Sequence, residues 1–230
     1  MLASGVFPVR WVPDLGYGYG YPIFNFYAPL AYYIGGTFML LGFDALLATK
    51  IMMALGVVLA GGFMYLLSRE FFGNLGGIIS GLFYVYAPYH AVDIYVRGDV
   101  AEFWAYAFIP LMFLGFYKVF HNLKLEELEA DNSKFKTQNS KLQFKIQKFG
   151  IVGALGFAGV ILSHNLTALM VAPFLLIAIL LNCYIASGKR LLILYHSSLI
   201  LILGLVLSAF YWIPALLEMK YTNVLSQIGG

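Results

Sequence analysis

Long runs of apolar residues, separated by short polar segments, make up most of the chain. A helix that crosses a bilayer needs roughly 17–25 mostly apolar residues. Six runs reach or approach this length: Ala45–Leu67, Leu75–Tyr89, Ala101–Phe120, Phe149–Ser163, Leu166–Ala186 and Leu191–Ile213. Strands are not expected, because no stretch alternates polar and apolar positions as the strands of a membrane barrel do. Lipid leaves unpaired backbone groups unsatisfied, so the pattern predicts transmembrane α-helices.

A seventh apolar run, Ala28–Leu41, is too short to cross a bilayer as a straight helix. At 1.5 Å per residue it would reach only about 21 Å, against a hydrocarbon core of about 30 Å. Its larger apolar residues fall near one helical face, which favours a helix lying in the membrane interface. A tilted seventh span is the alternative.

The composition supports a membrane protein. The chain has 230 residues, of which 61% are hydrophobic and 11% charged, and its mean hydropathy is +0.83. Soluble domains have about 45–50% apolar and about 25% charged residues. These values exclude a water-soluble globule, a disordered chain and a nucleic-acid-binding protein. The single cysteine, Cys183, lies in an apolar run and predicts an inert buried thiol.

The basic residues predict which side of the membrane each loop occupies. Lys and Arg concentrate in cytoplasmic loops, and ten of the fourteen lie in 118–148, at Lys189 and Arg190, or at Arg69. Four segments then face outside: Met1–Asp44, Pro88–Glu102, His164–Asn165 and the tail after Ile213. The fold expected is an all-α integral membrane protein, a polytopic bundle of about six spans in the cell membrane.

Two regions follow from this assignment. Residues 1–44 form an outer aromatic loop with an interfacial helix, and residues 45–230 form the bundle, with a cytoplasmic loop at about 118–148. An outside N-terminus needs an upstream span to deliver it, so we expect a fragment of a longer protein. Inside the bundle, Gly150, Gly153, Gly156 and Gly159 recur every three residues and predict close helix packing.

The second outer segment carries the densest group of charges outside the lysine-rich region. Asp93, Arg97, Asp99 and Glu102 lie within ten residues between two spans. An arginine guanidinium suits phosphate or carboxylate, and a carboxylate can act as a base or a metal ligand. The alternative is that Arg97 pairs with Asp93 or Glu102 for structure alone. Polar groups at membrane depth favour the functional reading.

Three other outer features are candidates for binding. The Gly- and Tyr-rich loop, 5–30, could hold a sugar or an isoprenoid, or could serve only as an interfacial anchor. His164 and Asn165 could contact a phosphate or a sugar hydroxyl, or could form a tight polar turn. Glu218 is an outer carboxylate whose partner the sequence does not identify.

Ordered motifs along nearly the whole chain resemble one bacterial family. They include Gly5-x-x-Pro8-x-Arg10-Trp11-x-Pro13, Gly18-Tyr19-Gly20-Tyr21-Pro22-x-Phe24-x-Phe26-Tyr27-x-Pro29-Leu30-x-Tyr32-Tyr33, Tyr95-x-Arg97-Gly98-x-x-x-Glu102, Ser163-His164-Asn165 and Pro214-Ala215-x-x-Glu218. The chain resembles the membrane proteins named 6-pyruvoyl-tetrahydropterin synthase-related. That name does not imply a pterin activity, because neither the soluble synthase domain nor its zinc histidines are visible in the sequence. The layout is also similar to the GT-C class of polytopic glycosyltransferases.

The GT-C resemblance implies a glycosyltransferase that takes its sugar from a polyprenyl phosphate on the outer face. Glu102 and Asp99 would be catalytic, and a divalent metal is an open possibility. Substrate would be bound by Arg97, His164, Asn165, Arg10, Tyr27 and Glu218. The acidic residue that this class carries in its first outer loop is absent, since Asp14 lies downstream of the expected position. The alternatives are a non-catalytic or transporter-like membrane module and an inactive truncated fragment.

Overall fold

The computed structural model describes residues 1–130, 136–186 and 188–221, without the side chains of 126–130 and 136–140. Most of this part of the chain is helical, and its one strand-like pairing is an isolated bridge between Val12 and Tyr21. The principal helices are α1 (Leu30–Leu40), α2 (Ala45–Val85), α3 (Val100–Ala130), α4 (Lys136–Ser163), α5 (Asn165–Ile185), α6 (Arg190–Leu207) and α7 (Ala209–Glu218).

Five helical segments are long and apolar enough to cross a membrane. They are Ala45–Arg97, Val100–Leu125, Lys141–Ser163, Asn165–Ile185 and Arg190–Leu207. Their outer surfaces expose large apolar side chains, for example Leu169 (70% exposed) and Phe174 (66% exposed) on α5. Soluble monomers rarely carry extended apolar patches, so these surfaces suit lipid. The prediction of an all-helical bundle compatible with a membrane is confirmed.

Helix α2 is interrupted by a reversal of the chain at Gly73. This residue has φ 70° and ψ −173°, a conformation that only glycine adopts readily. The two arms then run back along each other. A methyl group on Gly81 would lie 2.8 Å from the carbonyl oxygen of Gly61, and one on Gly77 would lie 2.8 Å from the ring of Tyr65. The arms, 45–72 and 74–85, correspond to the first two predicted runs.

The centre of the fold is the antiparallel pair α3–α4. Glycines let the two backbones approach closely: a methyl group on Gly115 would lie 2.2 Å from Cα of Gly153, and one on Gly156 would lie 2.4 Å from the backbone nitrogen of Met112. Buried side chains from α3, α4, α5 and α6 complete this core, among them Phe116, Leu175 and Ile200. Close glycine contact of this kind is typical of helix packing in lipid.

Two predicted boundaries differ from the structure. The expected loop at 118–148 is largely helical, because α3 runs on to Ala130 and α4 begins at Lys136; residues 131–135 lie outside the described residues. Leu191–Ile213 is not one helix: α6 ends at Leu207, and α7 begins at Ala209. At the junction the hydroxyl of Ser208 donates to the carbonyl oxygens of Gly204 (2.9 Å) and Leu205 (3.2 Å). A serine hydroxyl that bonds to the carbonyl oxygens of the preceding turn competes with the backbone hydrogen bonds of the helix, which favours a break at this position.

The first 44 residues pack against one end of the bundle. Helix α1 buries Ala31 in a cluster with Met52, Phe103 and Trp104. Ala28 forms a second cluster with Ile161 of α4 and Tyr211 of α7. Helix α1 has 11 residues and is about 16 Å long. A short helix therefore lies within the run Ala28–Leu41, as the sequence predicted.

Candidate functional site

The charged segment between α2 and α3 is held by a sequence of tight turns. Pro88–Val92 forms a short helix, and Asp93–Arg97 continues it as one π-helical turn. Gly98 adopts a left-handed conformation with φ 64°, which reverses the chain into α3. The carboxylate of Asp99 then accepts hydrogen bonds from the backbone nitrogens of Ala101 (3.1 Å) and Glu102 (3.0 Å). Asp99 therefore caps α3 and fixes the approach of its first turn.

Arg97 is the centre of a cluster of three carboxylates. Its Nη1 lies 2.6 Å from Oε2 of Glu102 and 3.2 Å from Oδ1 of Asp93, and its Nη2 lies 3.5 Å from Oδ2 of Asp99. Nη1 also donates to the hydroxyl of Tyr89 at 2.7 Å, and that hydroxyl donates to Oε1 of Glu102 at 2.8 Å. We call these five residues the carboxylate–arginine cluster. One guanidinium opposes three carboxylates, so the cluster keeps an excess of negative charge.

The carboxylates differ in how far they reach solvent. The side chain of Asp93 is 1% exposed, that of Glu102 10% and that of Asp99 20%, whereas that of Arg97 is 42% exposed. Among the described residues, neither oxygen of Asp93 has a hydrogen-bond partner, although Arg97 lies at ion-pair distance. Burying a carboxylate without hydrogen bonds is costly, so a cation close to Asp93 stabilises the site.

A metal ion could be held by Asp93, Asp99 and Glu102. One oxygen from each lies within 4.8 Å of the others. Carboxylate oxygens are ligands that Mg²⁺ and Ca²⁺ prefer. The chemistry of the donors fits a hard divalent cation, and such an ion would share these oxygens with Arg97.

Tyr27 brings the aromatic loop to the cluster. Burial, and then the neighbouring Tyr32 and the carboxylate of Asp99, raise the pKa of the Tyr27 phenol above its usual value. The phenol therefore stays protonated close to the carboxylate of Asp99. The rings of Tyr27 and Tyr32 also meet edge to face, with centroids 5.8 Å apart.

An apolar groove opens beside the cluster. It measures about 290 Å³ and lies between α1 and the first arm of α2. Its lining includes Tyr32, Gly35, Met52 and Val100, the residue that follows Asp99. The groove and the carboxylates are thus neighbours, with Tyr32 and Val100 at their junction.

The other predicted site residues lie at the same end of the bundle, outside the cluster. His164 caps α5, because its Nδ1 accepts a hydrogen bond from the backbone nitrogen of Thr167 at 3.4 Å, and the same Nδ1 lies 2.8 Å from the hydroxyl of Thr167. The side-chain oxygen of Asn165 accepts from the backbone nitrogen of Leu166. Glu218 accepts a hydrogen bond from the amide of Asn25.

Arg10 lies near Tyr33 of α1. Burial raises the pKa of the Tyr33 phenol, and the charge of Arg10 partly opposes this shift. Within the part of the chain that the structure describes, no hydrogen bond or ion pair joins Arg10, His164, Asn165 or Glu218 to Arg97.

Sequence reasoning misses two contributors to the site. The apolar pattern places Tyr89 at the end of a span and Tyr32 within the interfacial helix. The proline before Tyr89 signals a helix start. Asp93 follows Tyr89 by four residues and Arg97 follows Asp93 by four, so on a continuous helix the Tyr89 hydroxyl would share a face with both. No comparable signal in the sequence pairs Tyr32 with Tyr27 and the groove.

The opposite end of the bundle is basic. Glu70, near the reversal of α2, forms an ion pair with Lys118 of α3. Lys189, before α6, donates to the carbonyl oxygen of Leu123 at 3.1 Å. The carboxylate–arginine cluster and the lysine-rich region therefore occupy opposite ends of the bundle.

Comparison with known proteins finds no matching family model, no matching curated protein and no matching solved structure. The resemblances drawn from the motifs therefore stay predictions.

Proposed function

We propose that the chain is a GT-C-like glycosyltransferase of the cell membrane, related to the 6-pyruvoyl-tetrahydropterin synthase-related proteins. Six crossings would be made by the first arm of α2, the second arm together with the short helix Pro88–Val92, and the helices α3, α4, α5 and α6. The basic end would face the cytoplasm, as the distribution of Lys and Arg favours. The carboxylate–arginine cluster would then face outside.

One observation carries the proposal: the cluster adjoins an apolar groove. A polyprenyl phosphate has a charged head and an apolar tail, and this arrangement offers a place for each. The head would lie near Arg97, and the first isoprene units would lie along Tyr32, Gly35 and Met52. A divalent cation held by the carboxylates would supply positive charge for the phosphate.

The residues suggest a division of roles. Asp99 is the most exposed of the three carboxylates, and its Oδ2 would accept the proton of an acceptor hydroxyl or amide. The acceptor atom then bonds to the anomeric carbon as the bond from that carbon to the phosphate oxygen breaks, and its electron pair stays on the phosphate. Arg97 would stabilise this developing charge. Glu102 and Tyr89 would position Arg97.

Filling the groove should weaken binding of the lipid. We expect Gly35→Leu to lower the affinity for undecaprenyl phosphate about tenfold, because the new side chain occupies space that about two methylene groups of the lipid would fill. Native mass spectrometry of the purified protein in detergent measures the bound lipid. Gly62→Leu is the matched control, since Gly62 is helical and a methyl group there would have no neighbouring atom within 4 Å. Equal binding of undecaprenyl phosphate and undecaprenol by the unaltered protein would contradict the proposal.

Removing the charge of Asp99 should stop transfer but leave the fold intact. Asparagine keeps an oxygen that can cap α3, so Asp99→Asn should retain undecaprenyl phosphate binding and lose about 100-fold or more in turnover of undecaprenyl-phosphate glucose. Asp44→Asn is a close control, because Asp44 caps α2 in the same way through the nitrogen of Leu47 at 3.0 Å. Unchanged turnover in Asp99→Asn would exclude Asp99 as the base.

A further inference from the structure

Residues 11–21 form a short hairpin that lies outside the site described above, and we call it the aromatic hairpin. Its base is a pair of backbone hydrogen bonds between Val12 and Tyr21, each with 3.0 Å between nitrogen and oxygen. The indole of Trp11 packs over Gly20, because a methyl group on Gly20 would collide with Nε1 and Cε2 of the indole. Backbone hydrogen bonds and this close contact therefore give the segment a defined shape.

The aromatic hairpin presents its rings to the surroundings and does not bury them. The side chains of Trp11, Tyr17, Tyr19 and Tyr21 are all exposed, that of Tyr19 by 88%. Tyr17 also has a left-handed backbone conformation with φ 59°, which is uncommon for a residue that carries a side chain. Strain of this kind persists where the surrounding structure fixes it and is frequent at functional positions. Contacts within the described chain leave these rings largely uncovered, which points to an occupant outside the chain.

The hairpin is fastened to two short helices at the same end of the bundle as the carboxylate–arginine cluster. Before it, the backbone nitrogen of Val9 donates to the hydroxyl of Tyr33 on α1 at 2.9 Å. After it, the carbonyl oxygen of Phe26 accepts from the hydroxyl of Tyr211 on α7 at 3.0 Å. Helices α1 and α7 have 11 and 10 residues and reach only about 16 and 15 Å, too short for a hydrocarbon core of about 30 Å.

The two helices continue the apolar surface of the spans. Large apolar side chains are exposed on both, for example Leu40 on α1 and Leu217 on α7, as Leu169 is on the neighbouring span α5. Short apolar helices at the end of a membrane bundle lie in the interface between hydrocarbon and water. The lipid-facing surface therefore extends to the helices that hold the hairpin.

The composition of the hairpin favours a membrane over a carbohydrate. Tryptophan and tyrosine concentrate at membrane interfaces, where an apolar ring and a polar tip each find a suitable environment. A sugar site also uses aromatic rings, but it adds polar side chains that fix the orientation of the ligand. Apart from its tyrosines, the segment 11–21 has one polar side chain, Asp14, and contains no Asn, Gln, Ser, Thr, His, Lys or Arg.

We propose that the aromatic hairpin inserts into the interface of the lipid bilayer, with the rings of Trp11, Tyr17 and Tyr19 among the lipid headgroups. The ring faces contact the upper part of the acyl chains, and the tyrosine hydroxyls face water and phosphate oxygens. Tyr27 follows the hairpin in the chain and lies near Asp99. An inserted hairpin therefore holds the aromatic loop, and the carboxylate–arginine cluster beside it, at the membrane surface.

Quenching of tryptophan fluorescence tests this proposal in the full chain. The protein is placed in nanodiscs of phosphatidylcholine, either plain or brominated near the top of its acyl chains. The emission of Trp11 is the difference between the unaltered protein and Trp11→Phe. We expect the brominated lipid to remove about half or more of this emission, because a ring in the interface contacts the upper acyl carbons. Aqueous iodide should have little effect on it.

Two tyrosine variants separate insertion of the hairpin from general exposure. The double substitution Tyr17→Ser and Tyr19→Ser should lower the quenching of Trp11 by brominated lipid at least about twofold, since it removes two rings that favour the interface. Tyr184→Ser is the matched control and should leave the quenching unchanged, because Tyr184 is 79% exposed but lies near the opposite end of α5 from His164. Thermal unfolding of each variant confirms that it is folded.

Two results would overturn the proposal. The first is strong quenching of Trp11 by iodide with none by brominated lipid; protection from iodide by a soluble oligosaccharide would then assign the rings to a sugar. The second is an equal effect of the double variant and of Tyr184→Ser on the quenching by brominated lipid.

Discussion

Replacing Arg97 by alanine is expected to abolish sugar transfer and to destabilise the protein. Arg97 is the cation that contacts all three carboxylates of the cluster, so its removal leaves Asp93 buried beside two further negative charges. We expect turnover of undecaprenyl-phosphate glucose to fall by at least about 100-fold, because the developing charge on the phosphate loses its stabilising group. Since the side chain of Arg97 is 42% exposed, the free energy of unfolding should fall by less than it would for a fully buried ion pair.

Two variants separate these effects. Adding Asp93→Asn to Arg97→Ala removes the uncompensated buried charge, so thermal unfolding in detergent should recover while turnover stays lost. Arg69→Ala is the control: Arg69 has a nearly equal exposure of 43%, and its ion pair with Glu70 at 3.7 Å lies at the basic end. We expect it to change stability by less than about 0.5 kcal/mol. Normal turnover in Arg97→Ala would remove Arg97 from the mechanism.

A methyl group at Gly156 should be among the most damaging small changes in the chain. It would lie 2.4 Å from the backbone nitrogen and 2.6 Å from Cα of Met112, and neither backbone atom can rotate away. Helices α3 and α4 must separate to accept it, which disturbs the central core. We expect Gly156→Ala to lower the free energy of unfolding by about 3 kcal/mol, measured by thermal unfolding in detergent.

The same helix provides the control for this substitution. A methyl group at Gly150 would have Cγ1 of Ile200 as its nearest neighbour, at 3.8 Å, which is an ordinary contact. Gly150→Ala should therefore be neutral or stabilise the protein by up to about 1 kcal/mol, because alanine is the better helix former. Equal destabilisation by the two substitutions would contradict the close contact between the backbones of α3 and α4.

The helical architecture could be predicted because lipid imposes a simple requirement on sequence. Apolar runs of sufficient length become helices, and the gap between Leu67 and Leu75 marked the reversal of α2. The run Gly150, Gly153, Gly156 and Gly159 predicted close packing, but periodicity alone could not tell which glycines touch a backbone. That distinction depends on the position of α3, which the sequence of α4 does not contain.

The candidate site was predictable in its residues more than in its geometry. Charge density pointed to Asp93, Arg97, Asp99 and Glu102, since nearby charges between two spans stand out against apolar sequence. The contact of Arg97 with all three carboxylates depends on the π-helical turn and on Gly98, which local propensities do not specify. The aromatic loop reaches the cluster through Tyr27, which lies near Asp99. These two residues are 72 positions apart in the sequence (99 − 27), so no local pattern could have paired them.

The position of Asp99 links ligand occupancy to the order of α3, the most buried of the five candidate spans. One of its oxygens holds the first amides of α3, and the other faces Arg97. A molecule that draws this carboxylate towards itself competes with those amides, whereas one that leaves it in place adds to the same anchoring. Fraying at the start of α3 and binding of a ligand at the carboxylate–arginine cluster are thus coupled equilibria that share a single side chain.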